Sequence, residues 1–273
     1  MPNQPDLPVV TTYLPGLAGL ALQFAELTDV GGRAANQDAL GRAQRDGMAC
    51  FVVSDGAGGH IGGEVASKLV VNAIIDSFLR ELSFSQRALQ SYLDQAIRQV
   101  AQGRQDSRVA DMSATVAVVL IDQHNRCVLW GHLGDTRVYL FRANQLVEVT
   151  KDHSLVQQFV DAGYVPADQV RNHPQRSVLF AAIGPDSDNP PVITPAPVDL
   201  HEADAMLICT DGLWEWLSEP DMLECLSASP DAAHWLASMV ARAHGNSNAS
   251  PRQRDNFSAQ AIWFVPHQNQ DRA

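Results

Sequence analysis

The chain has 273 residues, of which 45% are hydrophobic, and a formal net charge of −12. This length and apolar content allow one large domain with a sizeable core. The negative charge argues against a nucleic-acid surface, which needs a basic footprint, and against electrostatic binding to an anionic membrane. Bound cations or a solubilising acidic surface would explain the charge equally well, so charge restricts the partners and leaves the mechanism open.

The first part of the chain predicts an irregular extension, two strands and two helices. Residues 1–19 are expected to form the extension, and the apolar runs at 20–28 and 48–54 are typical of strands. Apolar residues then recur at helical spacing over 63–81 and 86–102. Two adjacent amphipathic helices without an intervening strand indicate a helical layer over a sheet, not a β–α–β unit.

The remainder of the chain predicts mostly strands. Runs at 115–121, 126–133, 137–141 and 146–149, joined by short turns, predict an antiparallel meander. We then expect a helix at 154–162, an irregular polar segment at 164–176 and extended structure at 178–183. The segment 186–197, with four prolines, predicts a loop with at most an edge strand. A strand at 205–210, helices at 219–226 and 231–244 and a strand at 257–265 complete the pattern, which shows no internal repeat or linker.

The cysteines and the N-terminal sequence bear on the cellular compartment. The four cysteines, Cys50, Cys127, Cys209 and Cys225, form no CxxC pair, and we interpret them as small hydrophobic residues of a reducing compartment. None has an arginine six positions later, as the cysteine-nucleophile phosphatases require. The N-terminus lacks the basic start of a signal peptide, and no run approaches the ~18 apolar residues of a membrane span. We therefore expect a soluble, cytoplasmic protein.

Three short acidic motifs, at 54–60, 210–212 and 254–256, carry most of the functional information. The first two follow apolar runs directly, and a carboxylate at the end of a strand is rigidly held. Carboxylates from distant parts of a chain favour a shared oxygen-ligand site for hard divalent cations. The alternative is that Asp-Gly pairs are ordinary turn residues. Because Asp55-Gly56 and Asp211-Gly212 recur in matching contexts, we favour the metal site.

In its ordered motifs the chain resembles the metal-dependent serine/threonine protein phosphatases of the PPM, or type 2C, family in its bacterial form. The matching segments are GRAANQD at 32–38, DGAGGH at 55–60, GEVAS at 63–67, MSAT at 112–115, GDTRVYL at 134–140, TKDHS at 150–154, AIG at 182–184, CTDGL at 209–213 and DN at 255–256. Each motif is weak alone, but their order extends over roughly residues 21–265, nearly the whole chain.

The resemblance implies an α+β four-layer sandwich, in which two antiparallel β-sheets pack face to face with helices on both outer faces. It implies a single phosphatase domain at 20–266, between the extension at 1–19 and a C-terminal tail at 267–273. Segment 164–176 resembles the family's variable flap beside the active site. There its basic residues, Arg171 and Arg176 among them, would select the residues flanking a phosphoamino acid, and we expect the segment to be a mobile loop.

The resemblance also implies hydrolysis of phosphoserine and phosphothreonine by direct attack of a water that bridges two Mn²⁺ or Mg²⁺ ions. Asp55 matches the carboxylate that bridges both metals, and the Gly56 carbonyl matches a ligand of one of them. Asp211 and Asp255 match the protein ligands of the other metal. Arg33 matches the arginine that holds the substrate phosphate, a task that suits its bidentate fork.

The chain departs from the animal members of the family at two positions. Gln37 stands where those enzymes have a glutamate ligand, so Asp38 or waters are expected to carry more of the second metal site. Ala57 stands where they have the proposed general acid, which leaves the proton donor to the leaving group open. His60 lies nearby in sequence, and we interpret it as structural.

Several further residues leave alternatives open. Asp135 matches a position associated with a third, weaker metal in bacterial members, or it is a turn carboxylate paired with Arg137. In the segment 152–154 we expect Asp or Ser to cap the following helix. Trp214 and Trp216 are expected to pack in the core.

Other functions were weighed against this hypothesis. An Asp-x-Asp sequence at 186–188 has the letters of a haloacid-dehalogenase nucleophile, but Gly184-Pro185 separates it from the preceding apolar run, and we reject it. The stronger alternative is a catalytically weak or silent module of the same fold that binds phosphoproteins or partners. For the enzyme we expect phosphoprotein substrates that are products of a Ser/Thr kinase, no nucleic-acid or membrane partner, and a monomer.

Overall fold

The computed structural model describes residues 10–14, 20–57, 59–184 and 189–266. Within these ranges the chain forms fourteen strands: β1 (Thr12–Leu14), β2 (Leu20–Asp29), β3 (Ala39–Arg45), β4 (Met48–Ser54), β5 (Gly56–Ala57), β6 (Ser113–Ala114), β7 (Val116–Asp122), β8 (Cys127–Leu133), β9 (Arg137–Arg142), β10 (Gln145–Val149), β11 (Val192–Ile193), β12 (Val198–Asp199), β13 (Ala205–Cys209) and β14 (Phe257–Pro266). The six α-helices in the same ranges are α1 (Gly59–Arg80), α2 (Gln86–Gly103), α3 (Leu155–Asp161), α4 (Asp211–Trp214), α5 (Glu219–Ser227) and α6 (Ala232–Asn248).

Two antiparallel sheets form the centre of the molecule. Sheet A has the strand order β1-β2-β14-β13-β9-β10, and sheet B has the order β11-β8-β7-β4-β3, with β12 also paired to β8. Their facing surfaces are apolar, and Phe24 of sheet A meets Phe51 of sheet B with ring centroids 5.5 Å apart. This edge-to-face contact lies in a fully buried inter-sheet core, which holds the two sheets together.

The helices cover the outer faces of both sheets. The amphipathic helices α1 and α2 pack against sheet B, where Phe78 and Tyr92 are buried. Helices α5 and α6 pack against sheet A, where Trp235 meets Phe141 of β9 edge to face at 5.7 Å. The resulting order of layers is helix, sheet, sheet, helix. The predicted α+β four-layer sandwich is therefore confirmed.

Strand β3 is not among the strands predicted from the sequence. It is an edge strand of sheet B with half-buried and exposed residues, so it lacks the apolar run used to recognise the other strands. Its hairpin with β4 turns at Asp46 and Gly47, which both have positive φ, +49° and +74°. An Asp-Gly pair between two strands is a strong hairpin signal, and it was the available clue.

The predicted meander is wrong, because the chain changes sheets in its middle. Strands β7 and β8 pair in sheet B, whereas β9 and β10 pair in sheet A. The crossing occurs between Leu133 and Arg137, where Gly134 has φ +108°. A side chain at Gly134 would also meet Thr115, with a Cβ only 2.5 Å from its Cγ2. A glycine is therefore needed where the chain passes from one sheet to the other.

Two expected irregular segments are ordered. Residues Thr12–Leu14 pair with β2, so the expectation of a wholly irregular extension is wrong there. Segment 164–176 contains a 3₁₀ helix, Ala167–Asn172, in which Val170 is buried, so the expectation of an unpacked loop is also wrong. The segment 178–183 makes only isolated bridges, such as Ser154 with Leu179. The Asp-x-Asp sequence at 186–188 and the tail at 267–273 lie outside the described residues.

Among the described residues, no helix combines the length and the apolar character that a membrane span requires. The other predicted helices and strands are present with shifted ends. Helix α1 begins at residue 59, four positions earlier than expected, and α6 ends at residue 248, four positions later. Ser154 caps α3 by accepting a hydrogen bond from the Gln157 amide, 3.2 Å away. An Asp or a Ser of the segment 152–154 was expected to cap this helix, and the structure shows that it is the serine.

Replacing Phe51 by alanine tests the inter-sheet core. Its side chain is fully buried between the sheets, so Phe51→Ala is expected to lower the free energy of unfolding by about 3–5 kcal/mol. Urea unfolding followed by circular dichroism measures the change. The matched control, Val147→Ala on exposed β10, is expected to change it by less than about 0.5 kcal/mol. Equal losses in the two variants would contradict the assignment of the core.

Candidate metal centre

Five aspartates from five separate segments gather at one end of the sandwich: Asp38, Asp55, Asp135, Asp211 and Asp255. The strand register explains the gathering. In sheet B, Ala39 pairs with Ser54, which brings Asp38 beside Asp55. In sheet A, Cys209 pairs with Arg137, which brings Asp211 close to Asp135.

Asp255 lies two residues before Phe257, the first residue of β14. Strand β14 is the other neighbour of β13 in sheet A. Four of the five aspartates line an open cavity of about 290 Å³. Arg33, Gly56 and Asp255 contribute to its wall together with Asp55, Asp135 and Asp211. Asp38 is buried beside Asp55, at 6% exposure. The structure thus brings together the candidate metal ligands and Arg33, the candidate for phosphate binding.

The electrostatics of the cluster are unfavourable without cations. Burial, followed by the neighbouring carboxylates, raises the pKa of both Asp55 and Asp211 well above its ordinary value. Burial is also the main cause that raises the pKa of Asp38 and of Asp135 to about 7. Each carboxylate resists ionisation first because it is buried in a medium of low polarity, and further because nearby acids carry the same charge. Bound cations would remove this penalty.

The donor atoms of the cluster fit a hard divalent cation. Asp38 Oδ1 and Asp211 Oδ1 are buried oxygens without a hydrogen-bond donor, and carboxylate oxygens are preferred ligands of Mg²⁺ and Mn²⁺. Within the described part of the chain, however, no three His, Cys, Asp or Glu side chains already form a metal-binding set. One reason is visible at Asp255, whose carboxylate faces Arg33. The side chains would therefore have to turn toward an ion.

Arg33 stands at the rim of the cavity. Its Nη2 donates to Asp255 Oδ2 at 2.5 Å, and its side chain remains 53% exposed. The loop that carries it is fastened to the start of β14: Asn256 Nδ2 donates to the carbonyls of Val30 and Ala35, and Gln37 N–H donates to Asn256 Oδ1. Arg33 is thus held next to the carboxylates with its guanidinium open to solvent.

The glycine at position 56 has an immediate structural cause. A Cβ on Gly56 would lie 2.0 Å from the carbonyl oxygen of Gly63 in α1, which no side chain can do. The expected reason for a glycine at position 56 was that its backbone must approach an ion. The structure adds that the first turns of α1 need the same glycine, because they pack directly on this strand end.

The proposed pairing of Asp135 with Arg137 is wrong. Arg137 instead forms a buried, bidentate ion pair with Asp152, with both N–O distances at 2.7 Å. Its guanidinium also lies 3.5 Å from the ring centre of Trp214. Asp152 is therefore engaged in this ion pair, and the cap of α3 belongs to Ser154. Asp135 lines the cavity instead.

The two arginines expected to select substrates point into the protein. Arg171 donates to Glu219 at 2.6 Å, and Arg176 pairs with Glu215, both within the helical region that follows Asp211. These ion pairs fasten segment 164–176 to the body of the molecule. The guanidinium groups are thus occupied in the structure, contrary to the free basic loop that the sequence suggested.

Two threonines that hold the carboxylates in place are not among the predicted site residues. Asp55 N–H donates to Thr115 Oγ1 at 3.1 Å, and the hydroxyl of Thr210 donates to Asp38 Oδ2 at 3.0 Å. Both threonines lie in motifs that carry the resemblance. Thr210 directly precedes Asp211 in sequence, whereas nothing in the sequence beside Thr115 indicates its contact with Asp55. Trp214 and Trp216 are buried, as predicted, and Trp214 also reaches the site.

The comparison with known protein families agrees with the site. A family model described as Protein phosphatase 2C matches residues 31–252. The chain belongs to the protein phosphatase 2C family. The family resemblance drawn from the ordered motifs is thereby confirmed.

Two curated relatives carry phosphatase names. The serine/threonine protein phosphatase PstP of Mycobacterium tuberculosis is 32% identical over 242 residues, which cover 85% of this chain and 44% of PstP. This chain therefore spans less than half the length of that relative. The protein phosphatase PhpP of Streptococcus pneumoniae is 27% identical over 225 residues, which cover 80% of this chain and 90% of PhpP.

Solved structures show the same architecture. The Mycobacterium tuberculosis serine/threonine phosphatase PstP/Ppp superposes with a TM-score of 0.75 at 29% identity, covering 90% of this chain and 99% of that one. The catalytic domain of PstP in complex with two manganese ions gives a TM-score of 0.74 at 28% identity, with the same coverage. The second structure is that of a relative with metal bound.

The pH dependence of stability tests the raised pKa of Asp38. Its carboxyl keeps a proton up to about pH 7 in the folded protein but releases it near 3.8 when unfolded. Between these values the folded state binds more protons, so raising the pH lowers the free energy of unfolding, by about 1.4 kcal/mol for each unit of pKa difference. In EDTA, urea unfolding from pH 5 to 7 should therefore show a flatter decline for Asp38→Asn than for the parent.

The control for this comparison is Asp76→Asn, which alters an exposed carboxylate on α1. Its decline in stability with pH should run parallel to that of the parent. A decline in Asp38→Asn as steep as in the parent would show that Asp38 titrates normally.

Proposed function

We propose that the chain is a metal-dependent protein phosphatase that hydrolyses phosphoserine and phosphothreonine. The observation that carries the proposal is the cluster of buried carboxylates in an open cavity with Arg33 at its rim. Such a cavity combines acidic oxygens for cations with a guanidinium for a phosphate, two requirements of phosphate-ester hydrolysis. Membership of the family and the names of PstP and PhpP support the same activity.

The ligands of each metal site are those that the family resemblance implies. Asp55 and the Gly56 carbonyl would serve one ion, and Asp55, Asp211 and Asp255 the other. Asp38 or waters would supplement the first site, and Asp135 would take a third ion. When bound, two Mn²⁺ or Mg²⁺ ions would neutralise phosphate oxygens and lower the pKa of water. The manganese bound to the catalytic domain of PstP supports this choice of metal.

Arg33 would bind the substrate phosphate. Its guanidinium is exposed at the cavity rim, and a phosphate competes with Asp255 for the same donors. An exchange of this kind would release the Asp255 carboxylate toward the cavity as the phosphate arrives. Arg33 thereby links substrate binding to the availability of a metal ligand.

The substrates we propose are phosphoproteins made by a Ser/Thr kinase, and the protein is expected to act as a monomer in the cytoplasm. The cavity is open, so a phosphorylated side chain on a protein surface can reach its carboxylates. All four cysteines are buried and free, which suits a reducing compartment.

Removal of the metal and of its central ligand tests the proposal. Phosphate release from a phosphothreonine peptide should cease in EDTA and return with Mn²⁺, because the carboxylates need cations to bind a phosphate dianion. Asp55→Asn should lose at least about 100-fold in kcat while keeping its circular dichroism spectrum. The exposed Asp76→Asn should match the parent. A parent without activity in Mn²⁺ would favour a silent binding module, and full activity of Asp55→Asn would exclude the metal centre.

The role of Arg33 has its own test. Arg33→Ala removes a charged hydrogen-bond donor to the phosphate, so transition-state stabilisation should fall by about 2–4 kcal/mol, measured as kcat/KM on a phosphopeptide. Arg98→Ala, which removes an exposed arginine of α2, is the matched control and should leave kcat/KM unchanged. Equal kcat/KM values for Arg33→Ala and the parent would identify Arg33 as a surface residue without a role in the reaction.

A further inference from the structure

Two hydroxyl braces hold the buried carboxylates. In the first, Thr115 exchanges hydrogen bonds with the backbone of Asp55, at 2.8 and 3.1 Å, and its hydroxyl lies 2.6 Å from that of Thr136, the residue after Asp135. This brace connects the turns of Asp55 and Asp135. All of its groups are neutral, so it restrains the two turns without neutralising the negative charge of the aspartates, which bound cations require.

The second brace connects the turns of Asp38 and Asp211. The hydroxyl of Thr210, the residue before Asp211, donates to Asp38 Oδ2 at 3.0 Å. The same oxygen of Thr210 accepts the amide of Ser258 in β14 at 2.9 Å. Thr210 therefore fastens the Asp211 turn to both neighbouring segments.

Trp214 connects the two braces. It is the last residue of α4, whose first residue is Asp211, and it is buried in the core of sheet A. Its indole Nε1–H donates to the backbone carbonyl of Asp135 at 2.9 Å, across 79 residues of sequence. One side chain thus joins the turn that carries Asp211 to the turn that carries Asp135.

The position of the indole is itself fixed. The guanidinium of Arg137 lies 3.5 Å from the ring centre and is held in place by Asp152 and by the hydroxyl of Tyr139. A stacked cation on one face and the core on the other leave the ring little freedom. The N–H is therefore aimed at the Asp135 carbonyl by the packing around it.

We propose that Trp214 is a positioning residue of the metal centre, which sets the separation between Asp135 and Asp211 through this hydrogen bond. The inference rests on the proposed function, because it assigns both carboxylates to bound cations. Two like charges move apart when nothing restrains their turns, and the ions that Asp135 and Asp211 would hold then fit their ligands less well. Outer residues that orient ligands typically change metal affinity 10- to 100-fold when replaced.

The test compares two tryptophans of the same core. Trp214→Phe removes the N–H and keeps an aromatic ring beside Arg137. Trp235→Phe is the matched control, since Trp235 is equally buried and its Nε1–H also donates to a backbone carbonyl, that of Met222, at 3.1 Å. Binding of Mn²⁺ to the metal-stripped full chain is followed by the electron paramagnetic resonance signal of the free ion, and thermal unfolding is recorded for each variant.

We expect the dissociation constant of the weakest Mn²⁺ site to rise about tenfold in Trp214→Phe and to stay within about twofold of the parent in Trp235→Phe. The melting temperatures of both variants should fall, since each loses one buried hydrogen bond. Equal Mn²⁺ affinities in the two variants would overturn the inference, since a merely structural tryptophan would behave like Trp235. If Trp214→Phe does not fold, 3-benzothienylalanine at position 214, an isostere without the N–H, replaces it with the same expectation.

Failure of the proposed function gives a different result. A parent chain that binds no Mn²⁺ at all would refute the metal centre and the role of Trp214 together. A parent that binds Mn²⁺ and releases phosphate, with Trp214→Phe unchanged, would refute the role of Trp214 alone.

Discussion

Repulsion among buried carboxylates is the constraint on which this structure depends. Four of the aspartates at the end of the sandwich have raised pKa values, with burial as the first cause and their neighbours among the others. Burying several carboxylates together is unfavourable, and such a cluster persists only where the surrounding structure holds it in place. The two packed sheets hold the aspartates together here, because neighbouring strands end side by side and the residues next to those ends lie close to one another.

The surroundings of the cluster restrain it without neutralising it. Threonine hydroxyls, a backbone amide and an indole N–H make the hydrogen bonds around the site, and all of these groups are neutral. Nearby arginines are committed to other acids, Arg137 to Asp152 and Arg176 to Glu215. Arg33 differs, since it is exposed at the rim and contacts Asp255 directly. This separation leaves the negative charge of the interior available to cations and places a positive charge where a phosphate would enter.

Much of the fold and of the site could be predicted from sequence, for identifiable reasons. Helix α2 has clear apolar periodicity, and β4 and β13 are apolar runs that Asp-Gly pairs follow closely in sequence. Strand β3 escaped because an edge strand is only partly buried and needs few apolar residues. The change of sheet at Gly134 escaped because two consecutive strands look alike in sequence whether they pair with each other or not.

The sequence by itself determined the chemistry of this protein. It shows which side chains are acidic and where each lies relative to a strand end, and its motifs occur in the order typical of the family. Those features are local, so residue type and spacing reveal them. Only the tertiary structure decided the partners, such as Arg137 with Asp152 and Trp214 with Asp135. These contacts depend on strand register and on the crossing between sheets, which join residues far apart in the chain and leave no periodic trace in it.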